Sequence, residues 1–154
     1  MYKTIAKLAE IHGQKHFMFL PKTYILPNEY QYLQQDMQKA DSFRQWIFKP
    51  AAQAQGRGIF VTSTLADIPQ KNSSHNYVVS EYVGNPLLLN GYKFDMRIYV
   101  AITSVNPLRF YMYEEGLARF ATCKYDQEAA VGGGQKSKFM HLTNYSINKK
   151  NINF

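Results

Sequence analysis

The chain has 154 residues, 45% of them hydrophobic, with 12 Tyr and 10 Phe, enough for a folded domain with a buried core, which excludes general disorder. A single cysteine, Cys123, excludes a disulfide framework and a cysteine-based zinc site, and the scattered His12, His16, His75 and His141 form no close metal pair. Eighteen Lys and Arg against 11 Asp and Glu give a formal charge of +7, which favours a polyanionic partner: an acidic polypeptide, phosphates or nucleic acid. The cations are spread out, with no zinc-finger, basic-zipper or RNA-binding signature, so nucleic acid ranks behind the other two. The polar start and the lack of a membrane-length apolar run predict a cytoplasmic protein without membrane contact.

In chain order, residues 17–27 read as an extended apolar segment punctuated by Pro21 and Pro27. Asn28 is placed to cap a helix over about residues 29–40, where Tyr30, Leu33 and Met37 fall at helical spacing. Trp46-Ile-Phe48 predicts a short buried strand ended by Lys49-Pro50, followed by a loop at 51–58 and a strand at 59–62. Residues 64–76 predict a turn or short helix and then a polar loop; 77–82 predict a strand. From Gly91 to Ile102, Phe94, Met96, Ile98, Val100 and Ile102 alternate strictly, the period of a strand with one buried face. Asn106-Pro107 and Glu114-Glu115-Gly116 read as turns that make strands 108–113 and 117–122 an antiparallel meander. Gly132-Gly-Gly134 reads as a loop, and the tail from His141 has no clear period.

The alternation at 91–102 throws Lys93, Asp95 and Arg97 onto the face opposite the apolar one. Two cations beside a carboxylate suit the floor of an anion site; the bland alternative is a surface strand with an internal ion pair, and the strand alone does not choose. Arg119, two strands later in the expected meander, could share that face and offer a fork to carboxylate or phosphate, or be a surface charge. Gly56-Arg57-Gly58 lets backbone N–H groups approach a phosphate, although most such glycines only make hairpins. Lys49 at a strand end has the same two readings. His141 reads as structural, Cys123 as a small core or edge residue, and Glu114 and Glu115 as turn residues.

The order Lys49-Pro50, Gly56-Arg57-Gly58, Ser80-Glu-Tyr82-Val83, Lys93-Phe-Asp95-Met-Arg97, Gly116-Leu-Ala-Arg119-Phe and His141-Leu-Thr-Asn144-Tyr-Ser-Ile-Asn-Lys149 resembles the tubulin tyrosine ligase-like family. The resemblance runs from about Phe17 to the C-terminus, and its tail is similar to the glutamate-adding branch. It implies an α/β (α+β) ATP-grasp-like fold of antiparallel sheets with flanking helices, incomplete here. Residues 1–44 would be a leading segment and helix, and 45–154 the nucleotide-binding region.

The implied activity is an ATP-dependent ligase that adds free L-glutamate to glutamate side chains of tubulin C-terminal tails through an acyl phosphate. The implied setting is microtubules of the cytoskeleton, including cilia or basal bodies. In a nucleotide cleft between two sheets, Lys49 and Lys93 would contact ATP phosphates beneath a cover of Gln55, Gly56, Arg57 and Gly58. Backbone groups of Ser80, Glu81, Tyr82 and Val83 would read the adenine edge. Asp95 would orient Lys93 and the metal shell, and Thr143 and Asn144 would line the phosphate site. Arg97 and Arg119 would hold the transferring phosphate and substrate carboxylates, with Tyr145 and Ser146 facing the incoming amino acid. Gln55 resembles members that elongate glutamate chains, where branch-initiating members tend to carry Arg. The family's Mg²⁺ ligands are expected beyond Phe154, and none is assigned within this sequence. The alternatives are a non-catalytic nucleotide- or tubulin-binding relative, a truncated inactive product, or a ligase with a small-molecule acceptor.

Overall fold

The computed structural model describes residues 2–39, 44–69, 76–126 and 135–152. The chain divides into two units between Asn85 and Pro86. The first contains α1 (Tyr2–His12), a 3₁₀ turn (Gln14–Phe17), β1 (Thr23–Leu26), α2 (Tyr30–Lys39), β2 (Trp46–Pro50), β3 (Phe60–Thr62), a 3₁₀ turn (Leu65–Asp67) and β4 (Tyr77–Glu81). Its four strands form an antiparallel sheet in the order β1-β4-β2-β3. The expected boundary at 44/45 does not divide this unit, because β1 is hydrogen-bonded to β4 and α2 packs on the same core.

Cross-strand partners share a face, so Tyr24, Val79, Phe48 and Phe60 line one side of the sheet. The Phe48 and Phe60 rings stack with centroids 4.7 Å apart, and Trp46 and Phe48 have no exposed surface. Leu33 and Met37, one helical turn apart on α2, close this core with Ile68. Truncating Trp46 or Phe48 in such a site costs on the order of 3–5 kcal/mol. The start of α2 is tied to β1 by Glu29: its N–H donates to the Ile25 carbonyl at 3.0 Å, and its carboxylate accepts from the Ile25 N–H at 2.5 Å. The other face carries Thr23, Ser80, Ile47 and Val61, then Ile25, Val78 and Lys49.

Several expectations need correction here. Only 23–26 of the expected extended segment 17–27 is strand, since the chain bends after the first 3₁₀ turn. Strand β2 runs through Lys49 and Pro50, paired with Val78 and Tyr77, instead of ending at Phe48. Helix α1 sits where composition drew no element, because Ala9 is its one buried residue and leaves little apolar signal.

The second unit contains β5 (Leu88–Leu89), β6 (Tyr92–Val105), β7 (Leu108–Phe120), α3 (Gln135–His141) and α4 (Tyr145–Asn148). Strands β6 and β7 form one long ribbon, with β5 beside the start of β6. The meander is therefore a hairpin: Glu114-Glu115-Gly116 is not a turn but lies within β7. Register explains this, for Ile98 faces Gly116 while Val100 faces Met112, so Tyr113, Glu114 and Glu115 bulge opposite Tyr99 alone. The apolar face expected to be buried is not: Met96, Ile98, Val100 and Ile102 are 54–66% exposed. Alternation marks a face with one chemistry, and burial needs a second layer that these residues do not have here. The loop at 132–134 and most of the polar loop before Tyr77 lie outside the described residues.

Gly116 is fixed by close approach. A Cβ there would sit 2.4 Å from the Arg97 carbonyl oxygen, a backbone atom that moves only with the strand. Gly116→Ala should destabilise the second unit by about 1–3 kcal/mol through this overlap. Urea unfolding measures it, and an unchanged midpoint would show that the ribbon widens without cost.

Candidate anion-binding site

The polar face of β6 acquires a fourth charged group from its neighbour. Arg119 lies directly opposite Asp95 on the adjacent strand, not two strands away, so Arg97, Asp95 and Arg119 share one face. Arg119 Nε donates to both Asp95 carboxylate oxygens at 3.0 and 3.1 Å, and Nη2 closes the fork on Oδ2. Burial pushes the Asp95 carboxyl up, but hydrogen bonds from Arg119 and Thr143 and the charges of Arg119 and Arg97 outweigh it. The carboxyl is held below the usual range. One carboxylate thus stands among Arg119 and Arg97, with Lys93 two residues away on the same strand face.

Lys93 reaches the end of α3. Its Nζ donates to the carbonyl of His141 at 2.9 Å, while the fork shows Asp95 orienting Arg119. His141 is 3% exposed, with its ring edge-on to Tyr125, and burial with the Lys93 charge lowers its pKa to about 4. It is a neutral imidazole at physiological pH, in keeping with a structural role.

A cleft of about 780 Å³ opens beside the fork. Arg119, Thr143 and Tyr145 line it with Asn90, Tyr92 and Asn148. The structure therefore brings three of the expected site residues into one cavity. Tyr145 is exposed, with Lys149 Nζ 5.5 Å from its ring centroid. Asn144 sits at the start of α4, and its carbonyl accepts from the N–H groups of Ile147 and Asn148, both at 3.0 Å. Ser146 lies within α4. Sequence reasoning missed Asn148, although Asn144, Asn148 and Asn151 recur at i, i+4 and i+7, the spacing of a helix face; the helix itself holds only Asn148 of the three.

The remaining expected residues lie in the first unit. Lys49 projects exposed from the sheet face that also bears Ile25, Ile47 and Val78, all half-buried, an apolar floor with one cation at its edge. Gln55, Gly56 and Gly58 all have positive φ, at 59°, 77° and 68°. A Cβ on Gly58 would meet Pro50 Cγ at 2.8 Å. The Arg57 N–H turns inward to the Ala54 carbonyl at 3.2 Å, and its guanidinium donates to Gln55 Oε1 at 3.3 Å.

At the end of β4, the Glu81 and Tyr82 N–H groups donate to the carbonyls of Lys22 and Gln45, both at 2.8 Å. The backbone donors expected to read an adenine are therefore engaged at those two residues, which leaves Val83 as the exposed member of the segment. The Ser80 hydroxyl is buried and donates to Thr23 Oγ1 at 3.1 Å, the Thr23 proton being taken by the Pro21 carbonyl at 2.9 Å. The Glu81 carboxylate pairs with Arg44 at 3.2 Å.

Comparison with known proteins gives one consistent result. The model of the tubulin-tyrosine ligase family matches residues 1–153. Tubulin polyglutamylase TTLL5 of Homo sapiens is 45% identical over 150 residues, which cover 97% of this chain and 11% of that protein. Tubulin monoglutamylase TTLL4 of Homo sapiens is 40% identical over 154 residues, 100% of this chain and 12% of the relative. A probable beta-tubulin polyglutamylase of Tetrahymena thermophila is 45% identical over 139 residues, 90% of this chain and 11% of the relative. The chain thus spans about a tenth of the length of these relatives.

Proposed function

Because the chain belongs to the tubulin-tyrosine ligase family, we propose that it supplies ATP- and carboxylate-contacting residues to an ATP-grasp ligase that adds glutamate to glutamate side chains of acidic tubulin tails. The observation that carries this reading is the charged face of β6 and β7, where Arg97, the Asp95–Arg119 fork and Thr143 stand together beside an open cleft. A carboxylate is a poor electrophile for an amine. ATP would first transfer its γ-phosphoryl group to the acceptor carboxylate oxygen, releasing ADP. The glutamate amine would then attack the acyl carbon and expel phosphate.

Each stage concentrates negative charge that preorganised cations stabilise. Lys93, fixed by the His141 carbonyl, would meet a phosphate. Arg97 and Arg119 would hold the transferring group and substrate carboxylates, with Asp95 keeping Arg119 in its fork. Thr143 and Asn144 would flank the phosphate, and Tyr145 and Ser146 the amino acid. In the first unit, Lys49 and the turn Gln55-Gly56-Arg57-Gly58 would contact the nucleotide, with Val83 and the Glu81 carbonyl at the adenine edge. Among the described residues no three His, Cys, Asp or Glu side chains gather to hold a metal ion, so no step is assigned to a metal held by this chain. The cytoskeleton is the proposed setting.

ATP titration of the ¹⁵N-labelled chain tests the reading. Lys93, Arg119 and Thr143 signals should shift, and silence at all three would overturn it. Binding of an acidic tail peptide should weaken steeply as salt rises. The second reading is a non-catalytic nucleotide-binding role for these 154 residues. ATP binding with no glutamate added to tubulin is then expected by mass spectrometry, and added glutamates would refute that second reading.

Gln55 offers a test of acceptor choice. A neutral amide at this left-handed turn position leaves less local positive charge than a guanidinium would, and Arg could clamp an extra acceptor carboxylate. Gln55→Arg should shift preference toward unmodified tail peptides over peptides already bearing a glutamate branch. An unchanged ratio of the two affinities would leave Gln55 an ordinary loop residue.

A further inference from the structure

Asn148 is 1% exposed and uses its side-chain amide on three residues of two segments at once. Its Oδ1 accepts from the Thr122 N–H at 3.0 Å and from the Thr122 hydroxyl at 2.8 Å, just beyond the end of β7. Its Nδ2 donates to the carbonyls of Leu142 at 2.6 Å and Asn144 at 3.1 Å. Those two carbonyls flank Thr143, and Thr122 lies three residues after Arg119. One buried amide therefore ties the backbone on both sides of Thr143 to the strand that carries Arg119. Asn151 Nδ2 donates to the Thr122 hydroxyl at 2.7 Å, so the hydroxyl proton is committed to Asn148. A helix cap or loop brace needs one or two such bonds. Four on one buried amide reach both neighbours of a site threonine and the end of the arginine strand, the Thr122 N–H being shared with the Phe139 carbonyl at 3.0 Å.

We propose that Asn148 is a positioning residue: it holds Thr143 against the Asp95–Arg119 fork and so presets the spacing at which an anion, the phosphate or carboxylate of the proposed ligase reaction, is gripped. The proposal rests on reading this cleft as the anion site. Losing the amide or its Thr122 partner lets the 142–144 segment drift from β7, and Thr143 then leaves Asp95.

The test follows Asp95 by ¹³C NMR titration in the 154-residue chain, alongside ATP affinity, for the wild type, Thr122→Val, Thr122→Ser and Asn148→Asp. Thr122→Val removes the hydroxyl donor, Thr122→Ser keeps it, and Asn148→Asp turns the two amide donors into an acceptor facing carbonyls. The Asp95 midpoint should rise by ~0.5 pH unit or more in Thr122→Val and Asn148→Asp, as a carboxylate does on losing a hydrogen bond. It should stay at the wild-type value in Thr122→Ser.

A lowered melting temperature with an unmoved Asp95 midpoint in either folded variant would make Asn148 a brace only and overturn the proposal. So would unfolding of both variants while Thr122→Ser folds. ATP affinity should fall with the Asp95 shift. If the wild type itself does not bind ATP, the nucleotide reading fails, while the Asp95 midpoints still decide the positioning role.

Discussion

Lys93→Met should weaken ATP binding by roughly 10- to 150-fold, the equivalent of losing a charge-assisted hydrogen bond worth about 1.5–3 kcal/mol. Methionine keeps an unbranched stem on the strand paired with β5 and removes the ammonium group. That group is held in one direction by the His141 carbonyl, 2.9 Å away, on the strand face it shares with Asp95 and Arg97. A cation fixed in this way pays less ordering entropy on meeting a phosphate than one on a free chain. The control is Lys7→Ala on the exposed side of α1, expected to leave affinity within about twofold because a solvated surface cation contributes little. Equal dissociation constants for the two variants, each checked for native circular dichroism, would remove Lys93 from the site.

Stability should rise between pH 4 and pH 6.5 by up to ~3 kcal/mol on account of His141 alone. Burial, with the Lys93 charge beside it, holds the folded imidazole at about 4, against 6.5 for an ordinary histidine. Below pH 6.5 the unfolded chain takes up a proton that the folded one refuses. The contribution is complete above 6.5 and lost progressively as pH falls toward 4. Urea unfolding at intervals from pH 7.5 to 4.5 measures it in the wild type and in His141→Gln, whose curve should be flatter through that window. Parallel curves would show that His141 is charged in the folded protein. Lys93→Met supplies a cross-check, since removing the neighbouring charge should raise the folded His141 midpoint seen by NMR.

What the sequence reveals depends on whether a residue's partners are local. The face shared by Lys93, Asp95 and Arg97 is legible because a strand's period is two and needs no distant information. Leu33 and Met37 are legible as the buried stripe of α2 for the same reason, at helical period. Arg119 opposite Asp95 is not, because register depends on the three-residue bulge at Tyr113–Glu115, and Glu-Glu-Gly spells a turn when read in isolation. The engaged amides of Glu81 and Tyr82 are equally hidden, for their acceptors, Lys22 and Gln45, belong to segments far away in sequence. Asn148 carries four side-chain hydrogen bonds beside the cleft but only a weak sequence signal, the spacing of three asparagines. Asparagine is common in turns, and burial is what sets this one apart.

The exposed ribbon has a dynamic consequence. At its base the Phe94 and Phe120 rings stack 5.7 Å apart, and the Ala121 N–H donates to the Lys93 carbonyl at 2.8 Å, so that end is tied to the charged cluster. Toward Asn106-Pro107, among the described residues, one strand lies beside another with side chains exposed on both faces. Two strands without a covering layer are marginal in stability. The free energy of local opening should therefore climb steadily from tip to base, and amide hydrogens should exchange in that order: fast around Val105 and Leu108, slower across the bulge, slowest between Asp95 and Arg119. The ion-pair fork would thus be the hinge at which unzipping stops, a rigid root beneath a breathing blade.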